Sequence, residues 1–107
     1  MTGIAFVLHS SDNVATVLGG DVRPGETIIL RGVATGSIIA AASIPDGHKI
    51  ALQEMAIGGR VVKYGASIGR TTMAVRAGDH VHIHNMESMR GRGDLGRSAG
   101  SPVQPPK

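Results

Sequence analysis

The stretch Ile44-Pro45-Asp46-Gly47-His48-Lys49-Ile50 reads as the end of one extended element, a tight turn and the start of the next. A glycine three residues after an apolar position supplies the backbone freedom that a tight turn needs. The apolar residue three further on then opens a new core-facing strand. The same apolar-x-x-Gly-x-x-apolar pattern recurs as Val22/Gly25/Ile28, Met55/Gly58/Val61 and Val75/Gly78/Val81. The intervals between these glycines are unequal, which argues against a solenoid of fixed period. The pattern predicts one small all-β domain that uses the same corner four times.

Outward from that corner, Ile4 to Leu8 and Val14 to Leu18 are short runs rich in strand formers. A short helix capped by Ser11 or Asp12 is the alternative for the second run. Strands are further predicted over Thr27 to Arg31, Ser37 to Ser43, Lys49 to Leu52, Val61 to Tyr64 and Thr72 to Arg76, each bounded by glycine. Sixteen glycines suit short strands joined by tight turns, and no stretch sustains a helical period. Met86 to Arg90 is compatible with a helical turn. The β domain is placed at residues 1–89, followed by a tail at 90–107 whose Gly, Arg and Pro content predicts disorder.

Composition narrows the function. The only aromatic residues are Phe6 and Tyr64, so the core must be built from Val, Ile, Leu, Ala and Met. Without cysteine there is neither a disulfide framework nor thiol chemistry. The net charge of +3 comes mostly from Arg90, Arg92, Arg97 and Lys107. Up to Asn85 the chain is nearly neutral and lacks stacking rings, which argues against a nucleic-acid platform. No segment is long enough to span a bilayer and no leader is recognisable, so a cytoplasmic protein is expected.

The chemistry is concentrated in His80-Val81-His82-Ile83-His84-Asn85. If this is a strand, the three imidazoles share one face while Val81 and Ile83 enter the core. A row of imidazoles suggests a metal or proton-transfer site, although a His-rich edge strand would look the same. His48-Lys49 follows another of the turn glycines, where side chains gather at one rim of a β domain.

Three blocks together carry a resemblance: Ile44 to Leu52, Val62 to Gly69, and Gly78 to Asn85, with Asp12-Asn13-Val14-Ala15 ahead of them. In this order and spacing they resemble the altronate/galactarate dehydratase family, in particular its small SAF-type domain, over about residues 4–95. The resemblance implies a β-clip fold, as in type III antifreeze proteins. It also implies a larger catalytic subunit as partner and a small anionic sugar-acid substrate. The activity implied is loss of water to give a 2-keto-3-deoxy acid. A divalent metal, commonly iron or manganese with magnesium as a further option, would be held mainly by the partner. A sulfolactate lyase with the same architecture, or a non-catalytic β-clip binding module, remain the alternatives.

Within that family His48 and Lys49 are the expected catalytic pair, and His82 and His84, from the His-x-His-Asn pattern, the expected metal ligands. Lys63, Tyr64 and Asn85 are expected to contact substrate, and His80 to be a bystander. Each has a plainer reading: a solvated lysine, a ring capping the core, or an Asn that shapes a turn. Asp12 reads as a turn residue. No acidic pair suggests an acid/base couple, so activity is expected only with the partner.

Overall fold

The computed structural model describes residues 2–88, which form nine strands and, among these residues, no helix. They are β1 (Thr2–Val7), β2 (Val14–Leu18), β3 (Thr27–Gly32), β4 (Gly36–Ile39), β5 (Lys49–Ala51), β6 (Arg60–Lys63), β7 (Ala66–Thr71), β8 (His80–Val81) and β9 (Met86–Ser88). Six of them make one sheet in the order β4-β3-β1-β2-β5-β8, and β6-β7-β9 make a second. All neighbours are antiparallel except β1 and β3, whose parallel ladder runs from Thr2↔Thr27 to Val7↔Gly32. The expected all-β class is therefore what the chain adopts. The predicted tail lies outside the described residues.

The four corners share one geometry. Gly25, Gly47, Gly58 and Gly78 all have φ between 81° and 91°. The residue after each glycine donates its N–H to the carbonyl three positions back, as in His48 to Pro45 (3.0 Å) and Asp79 to Arg76 (3.0 Å). The apolar residues that bracket each glycine are all buried. Moreover, the corners pair. Val22 bridges Ile44 and Met55 bridges Val75, each through two backbone hydrogen bonds of 2.8 and 2.9 Å. One unit therefore occurs twice: corner, hairpin, corner, strand. The first holds the β3–β4 hairpin and ends in β5; the second holds the β6–β7 hairpin and ends in β8.

Two cores form, and β2 and β5 contribute to both. Val22, Ile28, Ile44 and Ile50 pack with Ala5, Val7, Ala15 and Val17. Met55, Val61, Val75 and Val81 pack with Val14 and Ala51, flanked by Ile68 and Met86. β2 and β5 lie between the two, with Val14 and Ala51 facing one core while Ala15 and Ile50 face the other. Both faces being covered explains why these short strands are so apolar. The units meet where β5 pairs with β8, through Lys49↔Val81 and Ile50↔His80.

Three local readings are corrected. Thr72 to Arg76 is not a strand; β7 lies earlier, running through Gly69, where an added Cβ would collide with the Glu87 carbonyl of β9. Met86–Ser88 is a strand paired with β7, not a helical turn. And β8 stops after Val81, so Ile83 is 83% exposed instead of entering the core. Asn85 causes this: its Oδ1 accepts the His82 N–H (2.9 Å) and its Nδ2 donates to the His80 carbonyl (2.8 Å). A side chain that captures backbone groups in this way competes with the strand ladder and turns the chain.

Candidate functional site

The junction of the two units is where the histidines gather. His48 follows the second corner of the first unit, and His80 begins the strand after the second corner of the other. Because β5 and β8 pair, these two corners bring the rings together: His48 Nδ1 lies 2.8 Å from His80 Nε2, at hydrogen-bonding distance. Two ring nitrogens that share a hydrogen bond hold a proton between them, one as donor and the other as acceptor. His82, returned by the Asn85 turn, stacks on His48 with ring centroids 4.0 Å apart. His84 sits one ring further out, 5.0 Å from His80.

One nitrogen from each of His48, His80 and His82 lies within 4.8 Å of the others. All three side chains are half-buried. His82 Nδ1 is buried with no hydrogen-bond partner, an unusual state for a polar atom in a closed site. Burial, followed by the repulsion of His84, His48, His82 and Lys49, pushes the His80 imidazole down to about 4. Burial, then His48, Lys49 and His84, lowers His82 as well. His80 is therefore neutral near pH 7, the form that ligates metals, and His82 is shifted in the same direction.

Lys49 is half-buried in β5. Burial, and secondarily the charge of Lys63, lowers its pKa and so favours the free amine. Lys63, at the end of β6, has its Nζ 4.8 Å from the centre of the Tyr64 ring. Tyr64 and Gly65 form the two-residue loop of the β6–β7 hairpin, both with positive φ (57° and 75°). This is the backbone a tight hairpin requires, but an uncommon one for tyrosine. Asp12 braces the same loop from below. Its Oδ1 accepts the Gly65 N–H (2.9 Å) and its Oδ2 the His9 N–H (3.1 Å).

Of the residues singled out in the sequence, the structure groups His48, Lys49, His82 and His84, with Lys63 and Tyr64 at the margin. Asn85 is placed differently: it is buried within the turn and both ends of its amide are spent on backbone, so it positions His80 and His82 and does not face outward. The set with converging nitrogens is His48, His80 and His82; His84 does not belong to it. His80 is the residue sequence reasoning passed over. The corner pattern holds part of the signal, since His80 stands two residues after Gly78 as Lys49 stands two after Gly47, and the strands after these two corners, β5 and β8, pair.

A model of the altronate/galactarate dehydratase SAF domain matches residues 4–89. The alpha subunit of a (2R)-sulfolactate sulfo-lyase from Chromohalobacter salexigens is 34% identical over 91 residues, covering 81% of this chain and 97% of that subunit. The altronate dehydratases of Bacillus subtilis and Escherichia coli are 38% and 37% identical over 81 and 78 residues, or 76% and 73% of this chain. Those stretches make up only 16% and 15% of the two enzymes, so the match is to one small module of a much longer protein. With its paired corners, all-β body and matched length, the chain belongs to the altronate/galactarate dehydratase SAF-domain family.

Proposed function

We propose that this chain is the small subunit of a lyase that removes water from a sugar acid of the altronate type, acting with a larger catalytic subunit. One observation carries the reading. On a module that relatives carry in lyases, four imidazoles and two lysines gather at the junction of the repeated units. Such a rim suits a small carboxylate.

Elimination beside a carboxylate needs a base for the poorly acidic C2 proton and an acid for the departing group. Lys49, whose pKa burial lowers, and His48, through the ring nitrogen not turned to His80, are the pair suited to these tasks. Lys63 and Tyr64 offer a charge and a phenol to the rest of the anion. A divalent metal, when bound, supplies positive charge that stabilises the enediolate-like intermediate. The large subunit contributes the remaining catalytic groups, and the cytoplasm, where thiols are kept reduced, suits a chain without cysteine.

A second reading has its own support: the match covers nearly the whole of a sulfo-lyase alpha subunit. In that case the leaving group is sulfite and the substrate sulfolactate.

Co-expression with the large subunit, followed by assays on altronate, galactarate and sulfolactate, tests both. The isolated chain is expected to be inactive and the complex active. His48→Ala and Lys49→Met should each lower kcat/KM of the complex by at least a hundredfold, about 2.7 kcal/mol of barrier. Near-wild-type turnover by either variant would remove these residues from the chemistry.

A further inference from the structure

We infer that this small chain carries a metal site of its own, in which His48, His80 and His82 hold one divalent ion of the class that prefers imidazole. This deepens the lyase reading, because it places an ion on the small chain as well as on the partner. It does not depend on which acid is the substrate.

Three observations converge. First, the three rings come from two separate corners, yet each presents one nitrogen to a common space 4.8 Å across. Nitrogens that bind one ion at about 2.1 Å stand roughly 3.0–3.4 Å apart, so binding releases the proton shared by His48 and His80, lets that 2.8 Å pair open and draws His82 in. Second, His82 Nδ1 is buried with no partner. Burying a polar atom without a hydrogen bond is costly, and a bound ion removes that cost. Third, the turn that delivers two of the rings is fixed by the buried Asn85, whose amide is spent on the backbone of His80 and His82 themselves. Ligands held by supporting hydrogen bonds are the usual mark of an organised site.

The donor set also selects the ion. With three imidazoles and no carboxylate in the cluster, Fe²⁺, Co²⁺, Ni²⁺ and Zn²⁺ fit, whereas Mg²⁺ and Ca²⁺ require oxygen ligands. His84 is excluded by position. Its ring lies tilted beside that of His80, and its nitrogens are not part of the converging set.

The test uses the full chain with any affinity tag removed, and Co²⁺ and Zn²⁺ as probes. Co²⁺ should bind with a stoichiometry of one, give a visible d–d band and raise the melting temperature. Zn²⁺ should displace it, while a large excess of Mg²⁺ should not. His48→Ala, His80→Ala and His82→Ala should each weaken Co²⁺ binding at least tenfold, and His84→Ala by no more than about twofold. If an alanine variant loses its circular dichroism, His→Gln at the same position preserves the size and polarity of the side chain and takes its place. The inference is overturned if the wild-type chain binds Co²⁺ no more tightly than the triple variant lacking all three rings. It is equally overturned if His84→Ala costs as much as His80→Ala, or if Mg²⁺ competes. Turnover by a complex whose small chain binds no Co²⁺ would leave the lyase reading standing while removing this site.

Discussion

Tyr64 is held at φ 57°, where the steric cost for an L-residue is roughly 1–2 kcal/mol. Its ring is more than half exposed and packs into neither core. Replacing it with Gly or Asn, which accept this backbone, should stabilise the chain by about 1 kcal/mol, raising the melting temperature by about 4–8 °C. Under the proposed function, in which Tyr64 contacts the substrate, the same variants should weaken substrate binding by the reconstituted complex. Asp12 makes the opposite kind of contribution. Burial would raise its pKa, but the backbone N–H groups of Gly65, Tyr64, Leu8 and His9 together outweigh that and hold it below its ordinary 3.8. A lowered carboxyl pKa means that the unfolded chain binds the proton more readily. Its contribution to stability is therefore full above about pH 4 and is lost as pH falls through the folded value. Melts of wild type and Asp12→Asn between about pH 5 and pH 2 should show the steeper acid loss in wild type; parallel curves would refute this account. Asp12 was legible as a turn residue because its partners at positions 8 and 9 are local. Asn85 was legible as a turn-shaping residue too, but only the folded turn shows both ends of its amide consumed.

The corners were the most legible elements, and for a local reason: each needs a positive φ and two apolar anchors, all within seven residues. What they pair with is not local, and that sets the penalties apart. Gly47 has open space where a Cβ would stand, so Gly47→Ala should cost only the backbone strain, about 1 kcal/mol. At Gly78, in the equivalent corner, the Cβ would strike the Ile39 carbonyl of the first unit. Gly78→Ala should therefore cost several kcal/mol more, enough to leave the chain largely unfolded near 40 °C. Urea titrations of the two variants would measure the gap, and equal midpoints would show that the corners tolerate a side chain alike. The strand at Ala66–Thr71 was misplaced because Gly69 looks like a breaker in sequence. It serves instead to let β9 approach. The alternation of His80 to His84 likewise promised a strand that Asn85 ends after two residues.

Across the whole molecule, the two units are tied together by few bonds. Asn13 is one of them. Its Oδ1 accepts the Val62 N–H (2.8 Å) and its Nδ2 donates to the Arg60 carbonyl (2.8 Å), which covers the free edge of β6 with a side chain. Asn13→Ala should cost about 2–3 kcal/mol by leaving two backbone groups unpaired, and a calorimetric scan should detect it as a lower melting temperature. The β5–β8 ladder adds two residue pairs, the Ala51 N–H donates to the Asp79 carbonyl (2.9 Å), the Gly78 N–H to the Ala51 carbonyl (2.8 Å) and the Ala41 N–H to the Gly78 carbonyl (2.9 Å). Parting the units along this line would also draw Val61, Val75 and Val81 away from Val14 and Ala51, so the second core opens with it. The rings of His48 and His80, 32 positions apart in the chain, stand on opposite banks of it. Whatever grips both therefore acts as a rivet, and a cysteine-free protein gains a fastening that can be put in and taken out by mass action alone.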